Sequence, residues 1–278
     1  MKNTQRTLGL GCGSTVASSL FLAALMLAAP VAQAIEGDAE AILKAMSQYV
    51  AQQKNIELTF DSDIEVVTPQ LEKIQFTNSG EALLSRPDKM RAHRVGGYAD
   101  VDMVFDGKTL SILGKNINGY IQRDSAGTLD QMINTLRAET GVAFPGADLL
   151  LTNSYDTLMA GVMEAKHIGR GVIDGKECEH LAFRNFDTDW QLWVQVGDKP
   201  IPCKMVVTSK MLNSAPQYTV RIKSWKTDVT PSTDAFTFTP PAGSQRLGME
   251  SMSSLDELPP SAPVSPSAPV TPIAGEKK

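Results

Sequence analysis

The segment Gly171 to Ser209, GVIDGKECEHLAFRNFDTDWQLWVQVGDKPIPCKMVVTS, restricts the fold of this chain more than any other. It reads as three consecutive antiparallel strands. Asp174-Gly175 is a tight-turn dipeptide before the first, and Gly197-Asp198 with Pro200 and Pro202 separates the second from the third. In the second strand Trp190, Leu192, Val194 and Val196 fall on one face, Gln191 and Gln195 on the other. A period of two with this composition belongs to a sheet that is dry on one side and wet on the other. Trp193 interrupts the wet side and marks a place where something covers it. A dry face this long needs a partner of its own.

The rest of the chain supplies more sheet and the candidate cover. Glu36 to Gln53 places Ala39, Ile42, Leu43, Met46, Tyr49 and Val50 at helical spacing, with Asp38 able to cap its start. From Ile56 to Val67 the period switches to two, and the acidic residues Glu57, Asp61, Asp63 and Glu65 form a face that must meet water. Further strands are expected at Lys73–Thr77, Glu81–Arg86, Lys89–Val95, Val101–Phe105, Thr109–Leu113 and 117–123, with Asp106-Gly107 as a two-residue hairpin turn. Thr128 and Gln131 spell a capping box before a stripe of Leu129, Met132, Ile133 and Leu136. GADLLLTNSYDTLMAGVM, after Gly141 and Pro145, reads as two short helices around an Asn153-Ser154 break. Gln217 to Lys226 is another alternating strand, and Ala235 to Leu247 a short extended exit. About ten antiparallel strands with helices at the start and middle predict a mainly β, α+β domain. Its sheet is expected to be strongly curved, a half barrel with its concave face covered by helices.

Residues 1–34 have the form of a cleaved export signal. Lys2 and Arg6 precede the apolar run Leu20–Ala29, and Ala32-Gln33-Ala34 fits a cleavage site after Ala34. The run is too short for a comfortable membrane span, so the chain is not expected to be a transmembrane protein. Without Lys2 and Arg6 there are 24 basic against 31 acidic residues, a formal charge of −7, which disfavours nucleic acid as a partner. The expected domain spans 35–247, and the Ser- and Pro-rich residues 248–278 are expected to form a disordered tail.

In an oxidising compartment Cys178 and Cys203 read as one disulfide, worth roughly 3 kcal/mol on a chain-entropy view. Two strands flanking a third lie about 10 Å apart, beyond disulfide reach. The bond therefore requires both cysteines to meet past the tip of the middle strand. The alternative is a reactive Cys178 thiol with His180 as its base. His93, His167 and His180 lie on three separated segments without metal-ligand spacing, and neither a phosphate loop nor a G-x-S-x-G is present. Asp187, Asp189 and Glu179 can be read as a carboxylate cluster or, more cheaply, as solvated turn residues. No metal, cofactor or enzymatic activity is expected.

GEALLSRPDKMRAHR, followed after a short gap by VFDGKTLSIL, resembles the LolA/LolB lipoprotein-carrier superfamily, in which a strand ends in Arg-Pro and an Asp-Gly-Lys hairpin follows a basic strand. AFTFTPPAGSQRL is similar to the ending of those proteins. FPGADLL, DGKECEHLAF, DTDWQLW and KPIPCKMVV look like a family of predicted periplasmic proteins with that fold. The resemblance implies a periplasmic half barrel with a helical lid over a cavity for acyl chains. It also implies an arginine, matched by Arg86, that latches the lid through its backbone. This chain lacks the lipid-anchor cysteine of LolB. The expected ligand-binding set is Leu129, Met132, Ile133, Leu136, Leu149, Leu150, Leu158, Met159, Val162 and Trp190. The expected partner is a lipid or other hydrophobic small molecule. An envelope structural or interaction module with a filled core, meeting a protein partner, is the alternative.

Overall fold

The described residues form one sheet of 12 strands. The computed structural model describes residues 36–140 and 146–255; the expected signal segment lies outside them. Helix α1 (Glu36–Gln52) leads into β1 (Asn55–Val67), β2 (Lys73–Ser85), β3 (Lys89–Gly96), β4 (Asp100–Phe105), β5 (Thr109–Gly114) and β6 (Gly119–Asp124). Helix α2 (Leu129–Thr140), a 3-10 turn (Ala147–Leu150) and α3 (Ser154–Met159) follow. The chain then forms β7 (Glu164–Ile173), β8 (Lys176–Arg184), β9 (Thr188–Gln195), β10 (Pro202–Ser209), β11 (Gln217–Lys226) and β12 (Gln245–Leu247).

Two meanders, β1–β6 and β7–β11, join where β1 pairs with β11, and the sheet is open, with β12 and β7 as its edges. Every neighbouring pair is antiparallel except β12, which runs parallel to β6. Cross-strand partners carry one apolar face across the sheet: Leu58 opposite Ala82, Ala82 opposite Ala92, Ala92 opposite Met103, Met103 opposite Ile112. The second meander continues it through Phe183 opposite Trp190, Leu192 opposite Met205 and Met205 opposite Val220. Leu43, Met46 and Val50 of α1, with Leu129, Met132 and Leu136 of α2, are buried in the same cluster. Helix α1 packs on β7, β8 and β9 and on α3 and the 3-10 turn.

The acidic face of β1 meets cations and hydroxyls: Lys73 on Glu65 at 3.0 Å, Ser79 on Asp61 at 2.7 Å and Lys226 on Glu57 at 2.5 Å. On the wet side of β9, Trp193 lies between the His180 ring, stacked at 4.1 Å, and the Lys204 ammonium, 5.1 Å from its centroid. Its cover therefore comes from the flanking strands. Phe236 is buried beside Val104, and Phe238 meets Tyr120 at 5.8 Å, so the FTFTPP segment lies against β4–β6.

Several expectations are corrected. Helix α1 begins at Glu36, which puts Asp38 inside its first turn. The strands expected at Lys73–Thr77 and Glu81–Arg86 are one, β2, because Gly80 is no turn. It admits the Phe60 ring, whose Cζ would lie 2.5 Å from an added Cβ. Strand β7 has no counterpart among the expected strands. Asp174-Gly175 closes the β7–β8 hairpin, with φ of +49° and +79°, the left-handed pair a type I′ turn requires. In the β4–β5 hairpin the loop residues are Gly107 and Lys108; Asp106 stands before them, its carboxylate accepting the N–H groups of Lys108 and Thr109. A further 3-10 turn, Met249–Leu255, continues past the boundary expected at residue 247. Its Met249 and Met252 pack on the core, which hydrophobic side chains can do in an otherwise polar segment. Residues from 256 lie outside those described.

Edge strand β7 carries a bulge between His167 and Gly169 and a set of ion pairs: Lys166 with Glu164 at 2.6 Å, Arg170 with Glu179 at 3.0 Å and with Glu177 at 3.2 Å.

Gly80→Ala should destabilise the protein by about 1–3 kcal/mol, because the new methyl meets the Phe60 ring and the His93 carbonyl. Gly97→Ala, with nothing within 4 Å, should stay within about 0.5 kcal/mol of the parent. Urea unfolding of both variants measures the difference.

Candidate functional site

Helix α1 ends with carbonyls that lack an intrahelical donor, as every helix must. Arg86, in the turn between β2 and β3, supplies donors. Its Nε donates to the Gln53 carbonyl at 3.1 Å, and its Nη2 reaches the Val50 carbonyl at 3.5 Å and the Leu150 carbonyl at 2.6 Å. One guanidinium thus ties the end of α1 to the 3-10 turn. Burial pushes its pKa below the ordinary arginine value, while the charge of Asp130 works the other way.

Neighbouring groups fix α2 to the same place. The Leu129 N–H donates to the Pro87 carbonyl at 2.9 Å. Thr128 and Gln131 form the reciprocal capping box, at 2.9 and 3.3 Å. The Asp130 carboxylate accepts the Thr152 N–H at 3.2 Å and also its hydroxyl. Arg137 of α2 pairs with Asp148 at 2.5 Å. The β2–β3 turn is therefore the point from which α1, α2 and the 3-10 turn are all held. Sequence reasoning misses Asp130 and Thr152, because an aspartate one residue after a leucine carries no distinguishing signal.

The ten expected ligand-binding side chains come together. Leu129, Met132, Ile133, Leu136, Leu149, Leu158 and Trp190 are buried in the core cluster, and Leu150, Met159 and Val162 pack half-buried against it. Trp190 stacks on Phe183 at 3.9 Å and donates its indole N–H to Asn185 at 3.1 Å. None of the ten lines either of two cavities in the described residues. The first, about 240 Å³, lies between β4–β6 and the Thr233–Phe238 segment. The second, about 420 Å³, lies at one end of the sheet. It is bounded by Tyr49 of α1, Lys176, the β9–β10 connection (Gln195, Lys199, Ile201) and Trp225–Asp228. Its residues come from four distant segments, which is why no sequence pattern marks them.

Cys178 pairs across from Gln195, the last residue of β9, and Cys203 sits at the bulge that opens β10. Their sulfurs meet at the end of β9, 3.0 Å apart, and both cysteines are free and buried. That separation exceeds the roughly 2.05 Å of a covalent S–S bond, so the expected disulfide is not formed in this structure. Burial raises both thiol pKa values, Cys203 the more strongly. His180 is not paired with Cys178; its Nε2 lies 2.9 Å from Gln191 Oε1. His93 pairs with Asp100 at 2.8 Å and His167 with Glu179 at 2.7 Å. Asp189 is held by Lys210 at 2.9 Å, at the opposite end of β8–β9 from Glu179, so the carboxylates form no cluster. Among the described residues no three His, Cys, Asp or Glu side chains are grouped to hold a metal. No described helix is long and apolar enough to cross a membrane.

Comparison with solved structures gives many broad likenesses at low identity, among them the following three. An uncharacterized conserved protein from Thermus thermophilus is similar at 10% identity and a TM-score of 0.47, over 76% of this chain and 99% of that one. LprF from Mycobacterium bovis is similar at 12% identity and 0.45, over 72% and 99%. The LolA superfamily protein NE2245 from Nitrosomonas europaea is similar at 13% identity and 0.32, over 72% and 97%. These likenesses carry no function to this chain, and no curated protein matches it. Residues 39–249 match the model of the family described as predicted periplasmic protein (DUF2092), and the chain belongs to that family, whose place is the periplasm.

Proposed function

We propose that this chain is a non-enzymatic periplasmic protein that binds or carries a hydrophobic ligand, a lipid or an acyl chain. The sheet in this reading is a strongly curved half barrel, and the helices are a lid over its concave face. The observation that supports it is the Arg86 constellation. One guanidinium bridges carbonyls at the ends of two helical segments, those of Gln53 and Leu150 most closely, so these segments can be released without breaking a strand pair. Release would expose Met132, Leu136, Leu149 and Leu158, and a ligand would re-cover them at about 25 cal/mol per Å² of apolar area. Methionine among these side chains suits ligands of varied shape.

Burial of seven of the ten candidate side chains favours a second reading, an envelope interaction module whose core is filled. Mass spectrometry of gently purified protein separates the two: co-purified lipid supports the carrier, and its absence supports the module.

An enzymatic thiol has little support, since burial disfavours both thiolates. We read the cysteines instead as a disulfide closed in the periplasm. The two thiols give two protons and two electrons to a protein disulfide, which leaves as a dithiol.

Arg86→Leu takes the guanidinium donor from the half-buried Gln53 and Leu150 carbonyls, at about 1–3 kcal/mol each at most. Apolar-dye binding should rise, and hydrogen exchange should quicken in α1 and Ala147–Leu150 with the sheet amides unchanged. Unchanged behaviour of both would remove Arg86 from the mechanism. Protein recovered from the periplasm and unfolded without reductant should show no reactive thiol at Cys178 or Cys203, and both after reduction; labelling before reduction would exclude the bond.

A further inference from the structure

The cavity of about 420 Å³ falls in the size range of roughly 300–1,000 Å³ usual for small-molecule sites. Its lining combines apolar side chains with lysines. Tyr49 and Trp225 both pack against the core cluster, and Ile201 is buried, so the hollow borders the interior beside the end of α1. Lys176, Lys199 and Lys226 stand around it against one carboxylate, Asp228. Lys226 is committed to Glu57 at 2.5 Å. Lys176 and Lys199 form no ion pair among the described residues, in a protein of formal charge −5. Trp225 adds an aromatic ring to this lining. Two ammonium groups without ion partners line one hollow, and an anionic acceptor complements them.

We infer that this cavity receives the head of a single-chain anionic lipid, a carboxylate or phosphate on an aliphatic tail. Lys176 and Lys199 hold the anionic head, and Tyr49, Trp225 and Ile201 take the first part of the tail, which points toward the apolar face between α1 and the sheet. A free anion would use the lysines and leave the aromatic wall unused; a neutral amphiphile would use the wall and leave the lysines unmatched. The inference rests on the reading that the chain binds a hydrophobic ligand, and it names the head-group chemistry of that ligand.

Equilibrium dialysis with the full mature chain at low ionic strength tests it, using hexadecanoate, hexadecanol and acetate below their aggregation limits. Hexadecanoate should bind at least about tenfold more tightly than hexadecanol, and acetate should not compete. The variant K176E/K199E changes two groups that make no ion pair. It should lose about tenfold or more of the hexadecanoate affinity while its hexadecanol affinity and melting temperature stay as in the parent. Equal affinity for acid and alcohol overturns the inference and leaves the carrier reading standing. So does an acid preference that survives the double reversal. Competition by acetate as strong as by hexadecanoate overturns it in favour of a plain anion site. Binding of neither long-chain probe sinks both readings.

Discussion

A helix that ends against other protein must find donors for its last carbonyls, and here one side chain answers for two helical segments. Arg86 meets Val50 and Gln53 at the end of α1 and Leu150 in the 3-10 turn. Lysine offers a compact point charge, whereas the planar guanidinium can face several carbonyls at once. The same turn presents the Pro87 carbonyl to the first N–H of α2. The two residues that follow β2 thus bond to all three of these helical segments, and Asp130 with Thr152 and Arg137 with Asp148 add further ties. The core beneath them is apolar and non-directional. Polar groups that point decide where the helices sit.

A wide open sheet also has a second face to manage. On one, Leu43 and Met46 of α1 and Leu129 and Met132 of α2 join the buried cluster of the apolar strand residues. The other is managed piecemeal. Acidic residues of β1 have cations or hydroxyls beside them, Trp193 is sandwiched by His180 and Lys204, and the Phe236–Phe238 segment lies against the far strands. Among the described residues no single element covers that side, so its composition varies along the sheet.

Where one face is dry and the other wet, the sequence is easy to read. Strands β8 to β10 stand as expected because Trp190, Leu192 and Val194 alternate with Gln191 and Gln195 despite Trp193, and the capping box of α2 forms as spelled. Strand β7 is hidden because Ile168 and Val172 are 47% and 69% exposed, which breaks the correspondence of apolar with buried. Gly80 reads as a break in isolation, and only its neighbour across the sheet, Phe60, explains it. The helix-tying arginine is legible only through family resemblance, since its partners are backbone carbonyls and any residue types could supply them. The lysine-lined hollow lies between segments far apart in the chain, and its residues become neighbours only on folding.

Strand β7 has one side unclaimed by any other strand, and such a margin is normally a template on which a second molecule can stack. The extra residue between His167 and Gly169 kinks its ladder, and Arg170, Lys166 and their acidic partners fence it with charge. A stranger's backbone would have to straighten the kink and strip water from those ions to add itself. The chain can thus leave a sheet of this breadth unclosed and still resist polymerising through its margin.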